Sequence, residues 1–575
     1  MGARSSLLRR LPRTLRIRGD DRVVIMLVGL VVGVCSGLAA VALTSSIAAL
    51  EEWLRPVRST WWAFVLPGCG AALSVFVLEK LLREGAGHGV PEVIYAVTRK
   101  GGLLRLRTSF SRLISSCLTI GSGGSAGPEA PIVASGASIG SNIAQLLGFD
   151  ERRRVTLVGC GSAGAIAAVF NAPIAGIVFS LEVILGEWTA INIVPIAISA
   201  VAATEVSRLL RGNQIPFAHT PFSISLPDLL AAAVFALACA AVSIALSRLV
   251  EASHAGWTRR VSGQWIRAFA GGCAVGAVGL FVPFTLGEGY RAVRQAIEGQ
   301  FTAGLLMVSV VLVAKMATTA TTLGSGGSGG IFAPSLAVGS LLGLVFHRTL
   351  ITAWPTVSWV DEGCFALLGM AGLISGILQA PLTGLFLVIE ISGGYDVILP
   401  LIIVSVVSST ICHANQRASF YLKELTQRGP LVRPGSDARI LSDLRVSELL
   451  ETDCPVVRET MRLSELVEVV KNSHRNHFPV VDPGSGRLVG MVNLNDIRTY
   501  LFDPGLSHAV VVAEIMNPNP AAVSPEDGLA EILDRMDRAR AFSVPVVEHE
   551  RYLGMVSKAT VLDSYRKELI IQSSE

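Results

Sequence analysis

A long apolar run, Val23 to Leu50, lies near the N-terminus, and a second run, Trp61 to Leu82, follows it closely. Each exceeds the ~20 residues that an α-helix needs to cross the hydrocarbon core of a bilayer. Hydrophobic residues make up 51% of the chain and charged residues only 16%, against about 25% charged in an ordinary soluble domain. The sequence therefore predicts a multi-pass membrane protein. A net charge of +4 gives no indication of a nucleic-acid partner.

Six arginines lie between positions 4 and 18, just before the first apolar run. Positive flanks of a first membrane helix stay on the cytoplasmic side, so the N-terminus is predicted to be cytoplasmic. A long polar tail follows the last apolar run, near Cys412. We therefore place both termini in the cytoplasm and the protein in a cell membrane, the inner membrane of a bacterium. The nine cysteines are scattered without a CxxC pair, which predicts buried thiols and neither disulfides nor a metal site.

Composition divides the chain into a membrane part and a polar tail, joined by a turn-rich stretch, RGPLVRPGSDAR. The predicted boundaries are a basic N-terminus at 1–22, a transport domain at 23–430 with repeat halves at about 23–206 and 226–425, a linker at 431–443, and two small modules at 444–502 and 510–570.

The membrane part contains an internal repeat. GSGGSAGPEAP (121–131) returns as GSGGSGGIFAP (324–334), and the segment 161–183 returns as 369–391, at offsets of 203 and 208 residues. These offsets indicate two homologous halves. Since an even total of crossings puts both termini on one side, an odd number per half would make the repeats inverted. Apolar segments such as Val155 to Ala168 and Pro381 to Ile391 are too short to span, which predicts broken helices around a transport site.

The two glycine-rich tracts have the composition of an anion site. Glycine lets a ligand approach main-chain N–H groups, and a following proline suits the first turn of a helix, whose N-terminus attracts anions. The alternative is that the glycines only permit close helix packing. Glu129 lies within the first tract. An intramembrane carboxylate is by default functional, so we predict that Glu129 competes with the anion as a gate and is held by main-chain N–H groups. The alternative is that it caps a helix.

These motifs resemble those of the CLC family of chloride channels and chloride/proton antiporters. Gly127-Pro128-Glu129-Ala130-Pro131 is similar to the family's Gly-Lys/Arg-Glu-Gly-Pro, and Gly330-Ile331-Phe332-Ala333-Pro334 matches its GxFxP tract. The resemblance implies that Glu129 is the gating glutamate, and that Gly127, Ala130 and Gly330 belong to the anion site beside it. It also implies that the amides of Ile331 and Phe332, after Gly330, bind the central anion, and that the Tyr421 hydroxyl touches that anion.

Three departures from the family pattern bear on mechanism. His88 stands where a serine usually contacts the anion; either its imidazole donates a hydrogen bond or a main-chain amide serves and His88 faces the vestibule. Glu182 matches the first of the paired glutamates of antiporters, but the second, the inner proton acceptor, is Val183. Pro128 and Ala130 replace the residues that flank the gate, and this removes a basic neighbour.

The tail also repeats. Phe478 to Asp496 matches Val544 to Thr560, and each copy follows an amphipathic helical stretch, at 463–471 and 529–536. The two modules resemble a CBS-domain pair. Asn493 and Asp496 occupy the positions where many such modules hold a ribose, whereas the second module has Ser557 and Thr560. Adenine nucleotide binding and a purely structural, dimerising role both remain open here.

The predicted fold is an all-α polytopic membrane domain of two inverted repeats with broken helices, followed by tandem α/β CBS modules. The predicted function is non-enzymatic transport of chloride or a similar monovalent anion, without a cofactor, by a homodimer. Because of Val183, we favour a gated passive channel, with a chloride/proton antiporter as the alternative. A fluoride exchanger would need a different second tract, and a nucleotide-sensing membrane regulator would not need an intramembrane carboxylate.

Overall fold

The computed structural model describes residues 21–84, 89–213, 215–217, 221–416, 418–426, 446–500 and 509–574. The chain forms two compact units, Met1–Leu431 and Val432–Glu575. The helices of the first unit are α1 (Asp21–Arg58), α2 (Leu66–Phe76), α3 (Val90–Arg99), α4 (Thr108–Gly121), α5 (Glu129–Leu146), α6 (Glu151–Phe170), α7 (Pro173–Phe179), α8 (Ala190–Arg211), α9 (Leu226–Arg260), α10 (Gln264–Phe281), α11 (Tyr290–Ile297), α12 (Leu305–Ser325), α13 (Phe332–Ala353), α14 (Glu362–Leu378), α15 (Pro381–Ser392), α16 (Ile398–Asn415) and α17 (Phe420–Thr426).

Among the described residues, eight helical segments are long and apolar enough to cross a membrane. The first apolar run lies in α1, whereas the second is broken into a 3₁₀ turn, α2 and a π-helical turn. One length prediction was wrong. The apolar segment Val155 to Ala168 belongs to α6, which has 20 residues because the Asp150 carboxylate accepts from the Arg153 amide and starts the helix in a polar stretch. The prediction for α15 agrees with the structure, since that helix has only 12 residues.

The two halves make equivalent helix crossings. A Cβ on Gly136 or Gly161 would overlap the other's carbonyl oxygen where α5 crosses α6, and Gly339 and Gly369 stand in the same relation where α13 crosses α14. Backbones approach this closely only where neither residue carries a side chain. Close helix packing was the alternative considered for the glycines of the two tracts; these four glycines, which lie outside the tracts, have that role.

Each half also contributes a carboxylate that accepts hydrogen bonds from the other half. Glu182, in the π-helical turn that continues α7, accepts hydrogen bonds from the amides of Leu382 and Thr383 at 3.2 and 2.7 Å. Glu390, its counterpart 208 residues later, accepts from the amides of Ile174 and Ala175 at 3.0 and 2.7 Å. Each carboxylate therefore satisfies the N-terminus of the other half's short helix. A two-fold relation between the two halves produces such a reciprocal contact, and the predicted fold class is confirmed.

The second unit repeats one small motif. Strand β1 (His477–Val481) pairs antiparallel with β2 (Leu488–Asn493), and β3 (Ser543–Glu548) pairs antiparallel with β4 (Arg551–Ser557). The register shifts between Val480 and Val481 and between Val546 and Val547, at matching places. The helices are α18 (Leu463–Lys471), α19 (Leu494–Ile497), α20 (Val512–Ile515), α21 (Leu529–Arg538) and α22 (Lys558–Ser574). The amphipathic stretches predicted before each hairpin are α18 and α21.

Candidate functional site

The two glycine-rich tracts meet in the middle of the first unit. The Gly127 amide donates to the Gly330 carbonyl, and the Gly330 amide donates to the Gly127 carbonyl, both at 2.8 Å. Helix α5 begins two residues after Gly127, and α13 begins two residues after Gly330. The first N–H groups of a helix have no acceptor within it. The tracts thus bring two helix N-termini, one from each half, to one point.

Glu129, the first residue of α5, lies at this junction with only 1% of its surface exposed. Its Oε1 accepts a hydrogen bond from the Tyr290 hydroxyl at 2.6 Å. Its Oε2 accepts a longer one, 3.4 Å, from the Ala333 amide in the first turn of α13. The carboxylate also lies over Gly127, where a Cβ would collide with Oε2. Glu129 therefore occupies the helix terminus of the opposite half.

The expectation that main-chain groups alone shelter Glu129 was incomplete. Its shorter hydrogen bond comes from a side chain, Tyr290, which the sequence analysis did not identify. Tyr290 opens α11 directly after Gly289, whose φ of +93° favours glycine. The segment GEGY (287–290) corresponds to GHGV (87–90) in the first half, so the repeat aligns Tyr290 with Val90. Because valine has no hydroxyl, comparing the two halves could not reveal this hydrogen bond. A charged residue within an apolar helix was the available signal: Lys315 of α12 is fully buried and donates to the carbonyls of Thr285 and Gly287 at 3.1 and 2.8 Å.

The remaining predicted anion-site residues are buried around the junction. Ala130 and Ile331 are each 1% exposed, and Phe332 and Tyr421 are each 2% exposed; all four belong to one continuous buried cluster. The Phe332 ring packs against Phe170, at 5.6 Å between ring centroids. Phe170 also packs edge-on against Tyr290 at 6.5 Å. Aromatic rings thus connect the first turn of α13 to the tyrosine that holds Glu129. His88 lies outside the described residues.

A cavity of about 700 Å³ adjoins the junction on the side where α1 ends. We call it the outer cavity, because α1 carries the chain away from the predicted cytoplasmic N-terminus. Its polar lining comes from Glu51, Arg58, Ser122, Glu288, Tyr290 and Arg291. Arg58 donates to the carbonyl of Gly121 at 2.9 Å. The first glycine-rich tract and Tyr290 therefore both border this cavity.

The inner proton position differs from the pattern of paired glutamates. Val183 is half-buried and packs against the main hydrophobic cluster. Glu182, next to it, is engaged at the N-terminus of α15, where the Thr383 hydroxyl also donates to it at 2.6 Å. The alignment of the repeats already paired position 182 with 390, so this capping role could have been read from the sequence.

In the second unit, the two predicted nucleotide residues contact each other. The Asn493 side-chain amide donates to Asp496 at 2.8 Å, and His477 Nδ1 lies 2.7 Å from Asn493 Oδ1. In the second module, the hydroxyls of Ser557, at 2.7 Å, and Thr560 donate hydrogen bonds to Glu451 of the first module. The Glu451 carboxylate thus already accepts the hydrogen bonds of the two hydroxyls that would face a ribose in the second module.

Arg475 forms ion pairs with two carboxylates, those of Glu451 and of exposed Asp453. Its hydrogen bond holds the pKa of Asp453 below the ordinary value. Glu451, Asp453 and Cys454 cluster closely enough to hold a cation. The paired guanidinium instead supplies the positive charge for this group.

Comparisons with known proteins agree with this architecture. A family model described as voltage gated chloride channel matches residues 69–413, and the CBS domain model matches 446–503 and 512–567. A putative chloride channel protein ClcB-like of Ralstonia nicotianae is 30% identical over 412 residues, covering 69% of this chain and 95% of that protein. The H(+)/Cl(−) exchange transporter ClcA of Vibrio cholerae is 30% identical over 401 residues, covering 66% of this chain and 84% of that protein.

Two solved structures share the fold. The crystal structure of a slow cyanobacterial Cl⁻/H⁺ antiporter has a TM-score of 0.65 at 23% identity, covering 70% of this chain and 97% of that one. The crystal structure of a eukaryotic CLC transporter has a TM-score of 0.63 at 18% identity, covering 94% of this chain and 99% of that one. The motifs, the joined helix N-termini and these matches lead to one conclusion: the chain belongs to the voltage-gated chloride channel (CLC) family, with a C-terminal pair of CBS domains.

Proposed function

We propose that the protein is a homodimeric chloride/proton antiporter of the cell membrane, with both termini cytoplasmic. The passive channel that Val183 favoured in the sequence analysis is not supported by the comparisons. A relative that is 30% identical is named an H(+)/Cl(−) exchange transporter. The antiporter alternative therefore fits better, and the site itself gives a physical reason for it.

The observation that carries this proposal is the competition between Glu129 and an anion for the same donors. The Glu129 carboxylate takes the Ala333 amide in the first turn of α13, and this turn is where the amides of Ile331 and Phe332 would bind chloride. An anion that reaches those amides must displace the carboxylate. A displaced carboxylate loses its hydrogen bonds in a buried setting, which favours its protonated form. Chloride entry and proton uptake are therefore linked at Glu129 without an inner glutamate.

Val183 then affects only the inner half of the proton path. A half-buried valine carries no proton, so water would deliver protons between the cytoplasm and Glu129. This route predicts slow turnover and retained coupling. Tyr421 and the amides of Ile331 and Phe332 are the proposed central anion ligands, and His88 the proposed inner contact.

The test is to measure chloride and proton movement together in liposomes that contain the purified protein. With a chloride gradient as the only driving force, we expect protons to move uphill in the opposite direction to chloride. Chloride flux that proceeds with no uphill proton movement would establish the channel instead. Replacing chloride by fluoride in the same assay tests the fluoride alternative, which predicts faster fluoride transport.

The CBS pair is proposed to bind an adenine nucleotide at the first module only. Asp496 is exposed and Asn493 partly so, whereas the Ser557 and Thr560 hydroxyls already donate to Glu451. We expect ATP to raise the melting temperature of the full-length protein, and Asp496→Ala to remove that rise while Thr560→Val retains it. Absence of any rise in the unmodified protein would favour the structural role of the pair.

A further inference from the structure

Glu129 has no direct contact with solvent in this structure. Only 1% of its surface is exposed, and its two described hydrogen-bond donors are the Tyr290 hydroxyl and the Ala333 amide. An amide cannot pass a proton on, whereas a hydroxyl both donates and accepts. While Glu129 holds this position, the group that can pass it a proton from the outer side is therefore Tyr290.

Tyr290 connects two environments. Its hydroxyl lies 2.6 Å from Glu129 Oε1, and the residue also lines the outer cavity. Glu288, two residues earlier on the same loop, lines that cavity as well. The Glu288 carboxyl group on the cavity wall and the Tyr290 phenol at the gate thus lie two residues apart on one short segment.

Buried Lys315 fixes this segment. Its ammonium group donates to the carbonyls of Thr285 and Gly287, on either side of Leu286, and a Cβ on Gly289 would press against its side chain. The charged groups that act on Glu288 are Glu51 and Arg211 as well as Glu129 and Lys315; Arg58 and Arg291 also line the cavity. The loop that carries Glu288 and Tyr290 is therefore held by a cation rather than left free to move.

We propose that Glu288 and Tyr290 form the outer proton relay of the transporter. The inference rests on the proposed antiport, whose proton must leave or enter Glu129 on this side. In the inward step, before chloride displaces Glu129, the Tyr290 hydroxyl gives its proton to Glu129 Oε1 and regains one from the Glu288 carboxyl through cavity water. Glu129 becomes neutral, Glu288 becomes a carboxylate, and Tyr290 is unchanged. Glu288 then takes a proton from the outer solution, and the reverse sequence releases one.

Glu288→Gln and Tyr290→Phe test the relay in the liposome assay, with chloride and proton movement recorded together across a range of outer pH. For both variants we expect proton turnover to fall at least about tenfold, a conservative fraction of what positioned proton transfer contributes, while chloride flux persists. The chloride-to-proton ratio should rise and its dependence on outer pH should weaken. Glu298→Gln, at the exposed far end of α11, and Tyr395→Phe, at an exposed tyrosine, are the matched controls and should behave as the unmodified protein.

The outcomes separate the two proposals. If the unmodified protein moves no protons uphill, the antiport itself fails. If it does, and Glu288→Gln leaves proton turnover and its pH profile unchanged, the relay is wrong even when Tyr290→Phe has an effect, because Tyr290 would then only hold the gate. Chloride binding to each variant by calorimetry shows that the anion site remains folded.

Discussion

In Glu129→Gln, uphill proton movement is expected to stop while chloride flux continues and loses its dependence on pH. Glutamine has the shape of a protonated glutamate but cannot exchange a proton, so the side chain no longer competes with the anion as a charge. Its amide oxygen can still accept from Tyr290, so the fold around the gate should persist. We expect proton turnover to fall by at least about 100-fold, the scale that general acid–base groups contribute, with chloride flux changed only a few-fold.

The measurement is again paired recording of chloride and proton flux from liposomes, at several pH values. Glu390→Gln provides the control, because Glu390 is a partly buried carboxylate that caps the N-terminus of α7, not that of α5 or α13. Proton pumping that survives in Glu129→Gln would show that another group carries the coupled proton, and the gate assignment would then be wrong.

The gate position was predictable because the sequence contains the motif twice. Because the two copies align with each other, the glycines, the proline and the single carboxylate of the first copy could be assigned to a helix N-terminus from the sequence alone. The reciprocal bonds between Gly127 and Gly330 then follow, because two equivalent tracts related by a two-fold axis meet where the axis passes. The same repeat explains Glu182 and Glu390, although the sequence analysis did not use it for them.

Tyr290 could not be predicted in this way. Its counterpart in the other half is Val90, which has no hydroxyl, and its partner Glu129 is 161 residues away in sequence. Composition would have classed Tyr290 as one more aromatic residue near an apolar region. Its role depends on the start of α11 and on the Lys315 tether, both of which are tertiary features. The length of α6 was likewise mistaken because the helix begins four residues before Val155, in exposed and half-buried polar residues that an apolar pattern does not include.

The close crossings of the two halves give the second large prediction, which concerns folding. Gly161→Val should destabilise the membrane unit severely, because a Cβ at Gly161 would overlap the carbonyl oxygen of Gly136 and the valine methyls would extend further. Backbone atoms cannot move aside as side chains do, so we expect a loss of about 3 kcal/mol or more, the upper end for overpacked cores.

The loss should appear as a lower melting temperature and little monodisperse protein on size-exclusion chromatography in detergent. Gly304→Ala is the control, since nothing lies within 4 Å of a Cβ there and its φ of −63° suits alanine. A Gly161→Val protein as stable as the unmodified one would contradict the close crossing of α5 and α6.

Since α5 carries Glu129 at its first residue, any smaller variant that folds, such as Gly161→Ala, should also move the gate relative to Tyr290 and raise the chloride-to-proton ratio. The position of Glu129 thus depends on the glycines that pack α5 against α6. Helix α5 must lie close enough to α6 to place its N-terminus, which carries Glu129, against the other half.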